Sequence, residues 1–269
     1  MVVDARSPIG VFDSGIGGLT VARELMRQLP DESVIYFGDT ARVPYGPKSP
    51  DTVLRYSREI TSYLRERGVK AVVVACNTAT AHALPELKAE QSMPVIGVVE
   101  PGARAAVSAS RHGRIGVIGT VGTIQSGAYE RAIRALDPKA QITALPCPLF
   151  VPLVEEGWLE HAATRLIARE YLEPLAGNRI DTLVLGCTHY PLLKPLIAEV
   201  LGPDVALIDS AEQTAAVARR VLSERGLLAP NGGAPTRHFV ASDAPKQFLR
   251  MAERFLGAPI EGVETHTLG

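Results

Sequence analysis

Short apolar runs return along this chain, and the stretches between them carry apolar residues at helical spacing. The runs are "IGVF", "VIYFG", "AVVVA", "VIGVV", "RIGVIG", "ITAL", "TLVLG" and "VALI". Brief apolar runs bounded by turn formers suit strands buried on both faces, and strands alternating with helices imply crossover units in a mainly parallel sheet. Ala22, Leu25, Met26 and Leu29 fall at i, i+3, i+4, i+7, the stripe of an amphipathic helix after the first run. "SPDTVLRYSREITSYLRERG" predicts a helix with Ser49 as N-cap, Pro50 in its first turn and a left-handed cap at Gly68. "SAEQ", residues 210–213, matches a capping box ahead of a helix that closes at Gly226. Beyond the loop "APNGGAPT", residues 229–236, a strand-helix-strand tail is expected. The fold class is α/β.

One unit occurs twice. "VVVACNTAT" and "LVLGCTHYP" each run an apolar strand into a cysteine followed by polar residues. Cys76 and Cys187 are separated by 187 minus 76, or 111 residues, about the length of one small α/β domain. Two similar domains facing each other across a cleft, with one cysteine apiece, is the organisation this predicts.

Composition narrows the function. With 269 residues, 46% of them hydrophobic and 21% charged, the chain can build two modest cores. A balance of 28 Lys+Arg against 29 Asp+Glu leaves a net charge of -1 and no electrostatic footprint for nucleic acid or acidic membranes. A small-molecule partner is expected. No apolar run approaches the roughly 20 residues of a membrane span, and "MVVDARSPIG" has neither a basic n-region nor a long apolar h-region, so a cytoplasmic protein is expected. Cys76, Cys147 and Cys187 are odd in number and lack C-x-x-C spacing, which points to thiols rather than disulfides or a zinc knuckle.

In an open parallel sheet ligands bind beyond the carboxyl ends of the strands. After the first run comes "DSGIGG", where Asp13 and Ser14 precede Gly15, Gly17 and Gly18 and where free amides would suit a carboxylate or phosphate. The match to G-x-G-x-x-G is incomplete because Thr20 takes the third glycine's place; with Asp39 as a ribose ligand, a dinucleotide site is the rival reading. A tight turn using glycine for geometry alone is the plain alternative. "GDTARVPYGPKSP" is a Pro/Gly-rich loop in which Tyr45 and Gly46 would offer a hydroxyl and a close amide, or which is simply rigid.

A cysteine at a strand end is commonly inert filler. Here each is followed by hydrogen-bonding residues, Asn77-Thr78 and Thr188-His189, and each precedes a predicted helix whose N-terminus favours thiolate. Cys147, between prolines in "LPCPLF", has no such setting and is expected to be structural. Three chemistries fit. A hydrolase would use Cys187 with His189 as its base and leave Cys76 idle. A metal site would draw on Cys76, Cys187 and His189 without the usual local spacing. A two-base enzyme would use both thiols as equals, one taking a proton from carbon and the other returning one to the opposite face.

"GVFDSGIGGLTV", "GDTARVPYGPKS", "ACNTAT", "PLFVPLVEEG" and "LVLGCTHYPLL" together resemble the glutamate racemase family of the aspartate/glutamate racemase superfamily, over nearly the whole chain. The resemblance implies cofactor-independent interconversion of L- and D-glutamate for peptidoglycan, hence cell-wall biogenesis and cell shape, with neither cofactor nor metal. It implies Cys76 and Cys187 as the two bases, assisted by Asp13, His189 and Glu155. It implies substrate contacts from Asp13, Ser14, Tyr45, Gly46, Asn77, Thr78, Thr188 and His189, with Thr120 and Thr123 contributing from the other domain. It divides the chain into a first domain, residues 1–99 plus 210–269, and a second, residues 100–209. The resemblance also implies that a homodimer is compatible with the family, members of which are often dimers and some of which are reported to bind DNA gyrase, but the sequence itself shows neither. An aspartate racemase of the same superfamily, a dinucleotide-binding oxidoreductase and a non-catalytic binding protein are the alternatives.

Overall fold

The eight apolar runs fold as β1 (Ile9–Asp13), β2 (Val34–Gly38), β3 (Ala71–Val74), β4 (Val95–Gly97), β5 (Arg114–Gly119), β6 (Gln141–Pro146), β7 (Thr182–Gly186) and β8 (Ala206–Asp209) in the computed structural model, which describes residues 3–268. The tail adds β9 (Arg237–Ala241) and β10 (Glu264–Thr265). They form two sheets, of order β10-β9-β2-β1-β3-β4 and β6-β5-β7-β8, and every pairing is parallel. The crossovers are α1 (Leu19–Gln28), α2 (Pro50–Glu66), α3 (Asn77–Glu90), α4 (Val99–Ala109), α5 (Val121–Gln125), α6 (Ala128–Leu136), α7 (Phe150–Glu155), α8 (Ala162–Gly177), α9 (Lys194–Leu201) and α10 (Ser210–Glu224), with α11 (Pro245–Leu256) between β9 and β10.

Because side chains alternate across a strand, each sheet supplies two apolar faces. Val11, Val73 and Tyr36 face α1, α10 and α11, where Leu25, Ala218 and Phe248 cover them. Phe12, Val72 and Val74 face α2 and α3, against Ile60, Leu64 and Leu87. In the second sheet Val117 and Val184 pack on Ala103 of α4 and Ile133 of α6, while Leu183 and Leu185 join the core that holds Leu172 of α8 and Leu196 of α9. Full burial of each such Val, Leu or Phe contributes about 1.5–3 kcal/mol. That interior sets both sheets with their carboxyl edges toward one cleft.

The end signals are mostly as the sequence has them. Ser49 accepts from the Thr52 amide, and Gly68 closes α2 at φ 72°. The capping box at Ser210 is corrected: Asp209, extended at φ -100° and ψ 119°, is the N-cap, and its carboxylate accepts from the Ala211 amide at 2.9 Å. A carboxylate one residue earlier outcompetes the serine, which becomes the first helical residue. Among the described residues no helix is long and apolar enough to cross a membrane.

Candidate active site

The glycine turn after β1 folds onto its own aspartate. Asp13 is fully buried; its Oδ2 accepts from the Gly15 amide at 2.9 Å and its Oδ1 from the Thr188 hydroxyl at 3.4 Å. Burial raises its carboxyl above the ordinary range, against the opposing pull of His189 and these donors. Of the turn's amides, that of Gly15 is taken by Asp13 itself, as the tight-turn reading has it. What glycine allows instead is contact with the second sheet: a β-carbon at Gly17 would lie 2.3 Å from Thr188 Oγ1 and 2.5 Å from His189 Nδ1. Thr20, in the place of the third glycine, donates to the carbonyls of Gly17 and Thr188 at 3.0 and 3.3 Å, tying the same two loops. Asp39 is fully buried and receives Ser242 Oγ at 2.9 Å, Arg42 Nε at 2.8 Å and the Tyr45 hydroxyl. Its carboxylate is spent on holding the loop, which removes the ribose ligand a dinucleotide site needs.

Cys76 is the N-cap of α3. Extended at φ -66° and ψ 123°, it directs Sγ to accept from the Ala79 amide at 3.4 Å, and the thiol donates to Ser14 Oγ at 3.6 Å. The β1–β3 register pairs Phe12 with Val74, so the residues that follow this pair, Asp13-Ser14 and Ala75-Cys76, lie side by side. Burial first, and the neighbouring Asp13 second, push the Cys76 thiol up to about 12. A helix terminus alone does not make this sulfur a thiolate at neutral pH.

Cys187 has a different setting from the one its sequence predicts. No α-helix starts beside it; a single 3₁₀ turn at Tyr190–Leu193, which contains Pro191, comes before α9. Its sulfur instead lies 3.9 Å from His189 Nδ1, and His189 Nε2 lies 2.9 Å from Glu155 Oε1 at the end of α7. Burial depresses the His189 imidazole, but the contacts with Cys187 and Glu155 outweigh it and push the group up to about 10. Both contacts favour the protonated ring. Negative charge on Cys187 also raises the proton affinity of Cys76, so the two sulfurs belong to one electrostatic centre.

The threonines close the cleft from the other side. Thr78 Oγ1 lies 2.8 Å from Thr120 Oγ1 and 3.1 Å from Thr123 Oγ1, and Thr120 caps α5. The Gly122 amide donates to the Gly46 carbonyl at 2.9 Å, which lays the Tyr45-Gly46 loop on α5. Of the two readings of this loop, the Tyr45 hydroxyl fits the rigid one, since it donates to Asp39. Cys76, Cys187, Thr188 and His189 are each under a tenth exposed. A small cavity of about 90 Å³ is bordered by Gly15 and Glu155, the partner of His189, whereas a concavity of about 770 Å³ over Arg23, Arg27 and Phe239 is lined by neither sulfur.

Residues 9–218 match the Asp/Glu/Hydantoin racemase family. The chain belongs to that family. It is an isomerase, and the resemblance to glutamate racemases in the motifs extends to the whole chain. A glutamate racemase of Geobacter metallireducens is 54% identical over 95% of this chain and 94% of its own. The crystal structure of glutamate racemase isoform RacE1 from Bacillus anthracis superposes with a TM-score of 0.95 at 46% identity, covering 98% of each chain. That of a Francisella tularensis glutamate racemase in complex with D-glutamate gives 0.92 at 39% identity, again over 98% of each.

In this racemase the structure sets Asp13 and Ser14 beside Cys76, and Glu155 and His189 beside Cys187, with Thr188 bonded to Asp13, Thr78 meeting Thr120 and Thr123, and the Tyr45-Gly46 loop above α5. Among the described residues no three of His, Cys, Asp and Glu stand grouped as metal ligands. Cys147, fully buried with its thiol raised to about 12 chiefly by burial, packs in the interior while Tyr190 donates to its carbonyl at 2.8 Å. Sequence reasoning missed Tyr129 of α6, whose hydroxyl donates to Asn77 Oδ1 at 2.7 Å. In "AYERAIRAL" it reads as an ordinary buried face position.

Proposed function

We propose that this racemase interconverts L- and D-glutamate without a cofactor, Cys76 and Cys187 serving as acid and base on opposite faces of the α-carbon, and so supplies D-glutamate for peptidoglycan in the cytoplasm. The observation that carries the reading is the pairing itself. Two buried cysteines follow the strands β3 and β7, one in each sheet, each with its own polar assistants: Asp13 and Ser14 beside Cys76, His189 and Glu155 beside Cys187. A hydrolase or a single-base enzyme leaves one of these arrangements without a task. Full-length similarity to proteins named glutamate racemases, one of them solved with D-glutamate, favours glutamate over aspartate.

The α-hydrogen of an amino acid is a very weak acid, so the carbanion needs help. A positioned base supplies roughly 10²–10⁴-fold, whereas enzymes supply about 10⁶-fold or more. Preorganised donors on the carboxylate, where charge builds as the proton leaves, add about 2.7–4 kcal/mol each. Ser14, the first amides of α3 at Asn77 and Thr78, the loop at Gly46, and Thr188 are the donors assigned to this role. Burial and Asp13 favour the protonated form of Cys76, and Cys187 and Glu155 favour the protonated form of His189. Each turnover exchanges the roles of the two sulfurs. Closure of the cleft removes water from the carbanion's surroundings.

Heavy water tests the scheme. When pure L-glutamate is incubated in D₂O and the early mixture is resolved by enantiomer, deuterium should appear in D-glutamate while the remaining L-glutamate stays protiated. Equal early labelling of both would mean one base serves both faces. No labelling of either would end the assignment to glutamate.

A further inference from the structure

Tyr129 is 1% exposed, and its hydroxyl reaches from the helix layer of the second sheet to Asn77, the residue after Cys76. The ring sits against two bare backbones. A β-carbon at Gly186 would lie 3.1 Å from Tyr129 Cε2, and one at Gly102 would lie 3.3 Å from both Cε1 and the hydroxyl oxygen. The phenol is thereby held in one place. Burial, above all, keeps it far above the ordinary tyrosine range, so it stays protonated and remains a donor. The opposite end of the same amide, Asn77 Nδ2, is buried and has no hydrogen-bond partner among the described residues. A carboxamide has an acceptor end and a donor end that a half-turn exchanges, and a buried donor left unpaired is unfavourable. With its acceptor end tied, the donor end lacks only an acceptor.

We propose that Tyr129 is a positioning residue: by occupying Asn77 Oδ1 it fixes the amide so that Nδ2 donates to a carboxylate oxygen of the amino-acid substrate. Without the phenol the amide is free to turn its own oxygen toward that carboxylate, acceptor against acceptor. This rests on the racemisation of glutamate proposed above, because the ligand oxygen belongs to that substrate.

The test is Tyr129→Phe, which keeps the ring in its place between the two glycines, and Asn77→Ala, each alone and both together, in the full-length enzyme. For Tyr129→Phe, KM should rise about tenfold for L- and D-glutamate in parallel, with kcat changed far less, as loss of one oriented bond to a charged ligand requires. In the Asn77→Ala background the same change should cost nothing further, since the amide it orients is gone. An unchanged KM in Tyr129→Phe, or an equal loss in both backgrounds, overturns the proposal. Should Tyr129→Phe not fold, Asn77→Ala decides alone: a wild-type KM in that variant overturns it too. Failure of the unaltered enzyme to racemise glutamate would instead remove the substrate assignment.

Discussion

The imidazole of His189 bridges a carboxylate and a thiol, with Nε2 2.9 Å from Glu155 Oε1 and Nδ1 3.9 Å from Cys187 Sγ. Glu155 therefore acts on Cys187 through the ring, by holding its orientation and its proton. Glu155→Gln removes the charge and keeps the shape. Because enantiomers have equal free energies, kcat/KM must fall equally from either side; the asymmetry has to appear in kcat. We expect kcat to fall about tenfold or more, by different factors from L- and D-glutamate, with the alkaline limb of the pH profile moved to lower pH. Circular dichroism assays from each enantiomer across pH 6–10 measure both, and equal kcat losses would detach Glu155 from Cys187.

Replacement of either reactive sulfur should stop racemisation without unfolding the chain. Serine fits both positions, since Cys76 accepts from the Ala79 amide as a serine N-cap would and Cys187 stands at a turn. We expect Cys76→Ser and Cys187→Ser each to lose about 10³-fold or more in kcat while thermal melting stays near that of the unaltered protein. Cys147→Ser is the control: it buries a hydroxyl in an apolar core, so stability falls and kcat of the folded fraction does not. A Cys76→Ser enzyme with near-normal turnover would refute the two-base scheme.

His189 also makes stability depend on pH. Its folded value of about 10 lies above the ordinary 6.5, so the folded state binds the proton more tightly than the unfolded chain. The resulting stabilisation is fully present below pH 6.5 and is lost as pH rises through about 10. Cys76, raised from 9.0 to about 12, extends the loss of stability further into alkali. Urea midpoints should therefore decline from pH 6.5 toward pH 10, and His189→Gln should flatten that decline. An unaltered slope in the variant would show that His189 is not the group responsible.

The strands and the two thiols were legible in the sequence because both depend on short, contiguous signals. β1 to β8 are each an apolar run, and Cys76 and Cys187 each stand one or two residues past such a run. What the linear pattern does not carry is partnership across the cleft. Nothing in "DSGIGG" says that its nearest neighbours are Thr188 and His189 rather than an anion, because that contact joins residues far apart in the chain. The same holds for Tyr45, whose hydroxyl looks free until Asp39 is folded beneath it, and for Lys70, buried and paired with Glu32 while donating to the Ala5 carbonyl at 2.6 Å. The 3₁₀ turn after Cys187 is a local failure with a local cause: Pro191 and Pro195 lack amide donors, which delays α9 to Lys194.

The contact at Gly17 offers a test of closure itself. A methyl group there would stand 2.3 Å from Thr188 Oγ1 and 2.5 Å from His189 Nδ1, distances at which one of the two loops must retreat. Both neighbours serve the Cys187 side, so the retreat displaces His189 from its sulfur or holds the sheets apart. Overpacking of this kind costs about 1–3 kcal/mol of stability, while a displacement near 1 Å at the chemistry costs about 10²-fold in rate. Gly17→Ala should thus lose about 10²-fold in kcat/KM and still melt cooperatively. Gly177→Ala supplies the contrast, since no atom lies within 4 Å of the added carbon and the residue ends α8. There alanine should leave kcat/KM unchanged and leave stability equal or raised by about 0.5–1 kcal/mol. If Gly17→Ala retains full activity, the α1 turn and the Cys187 loop do not need this approach for catalysis.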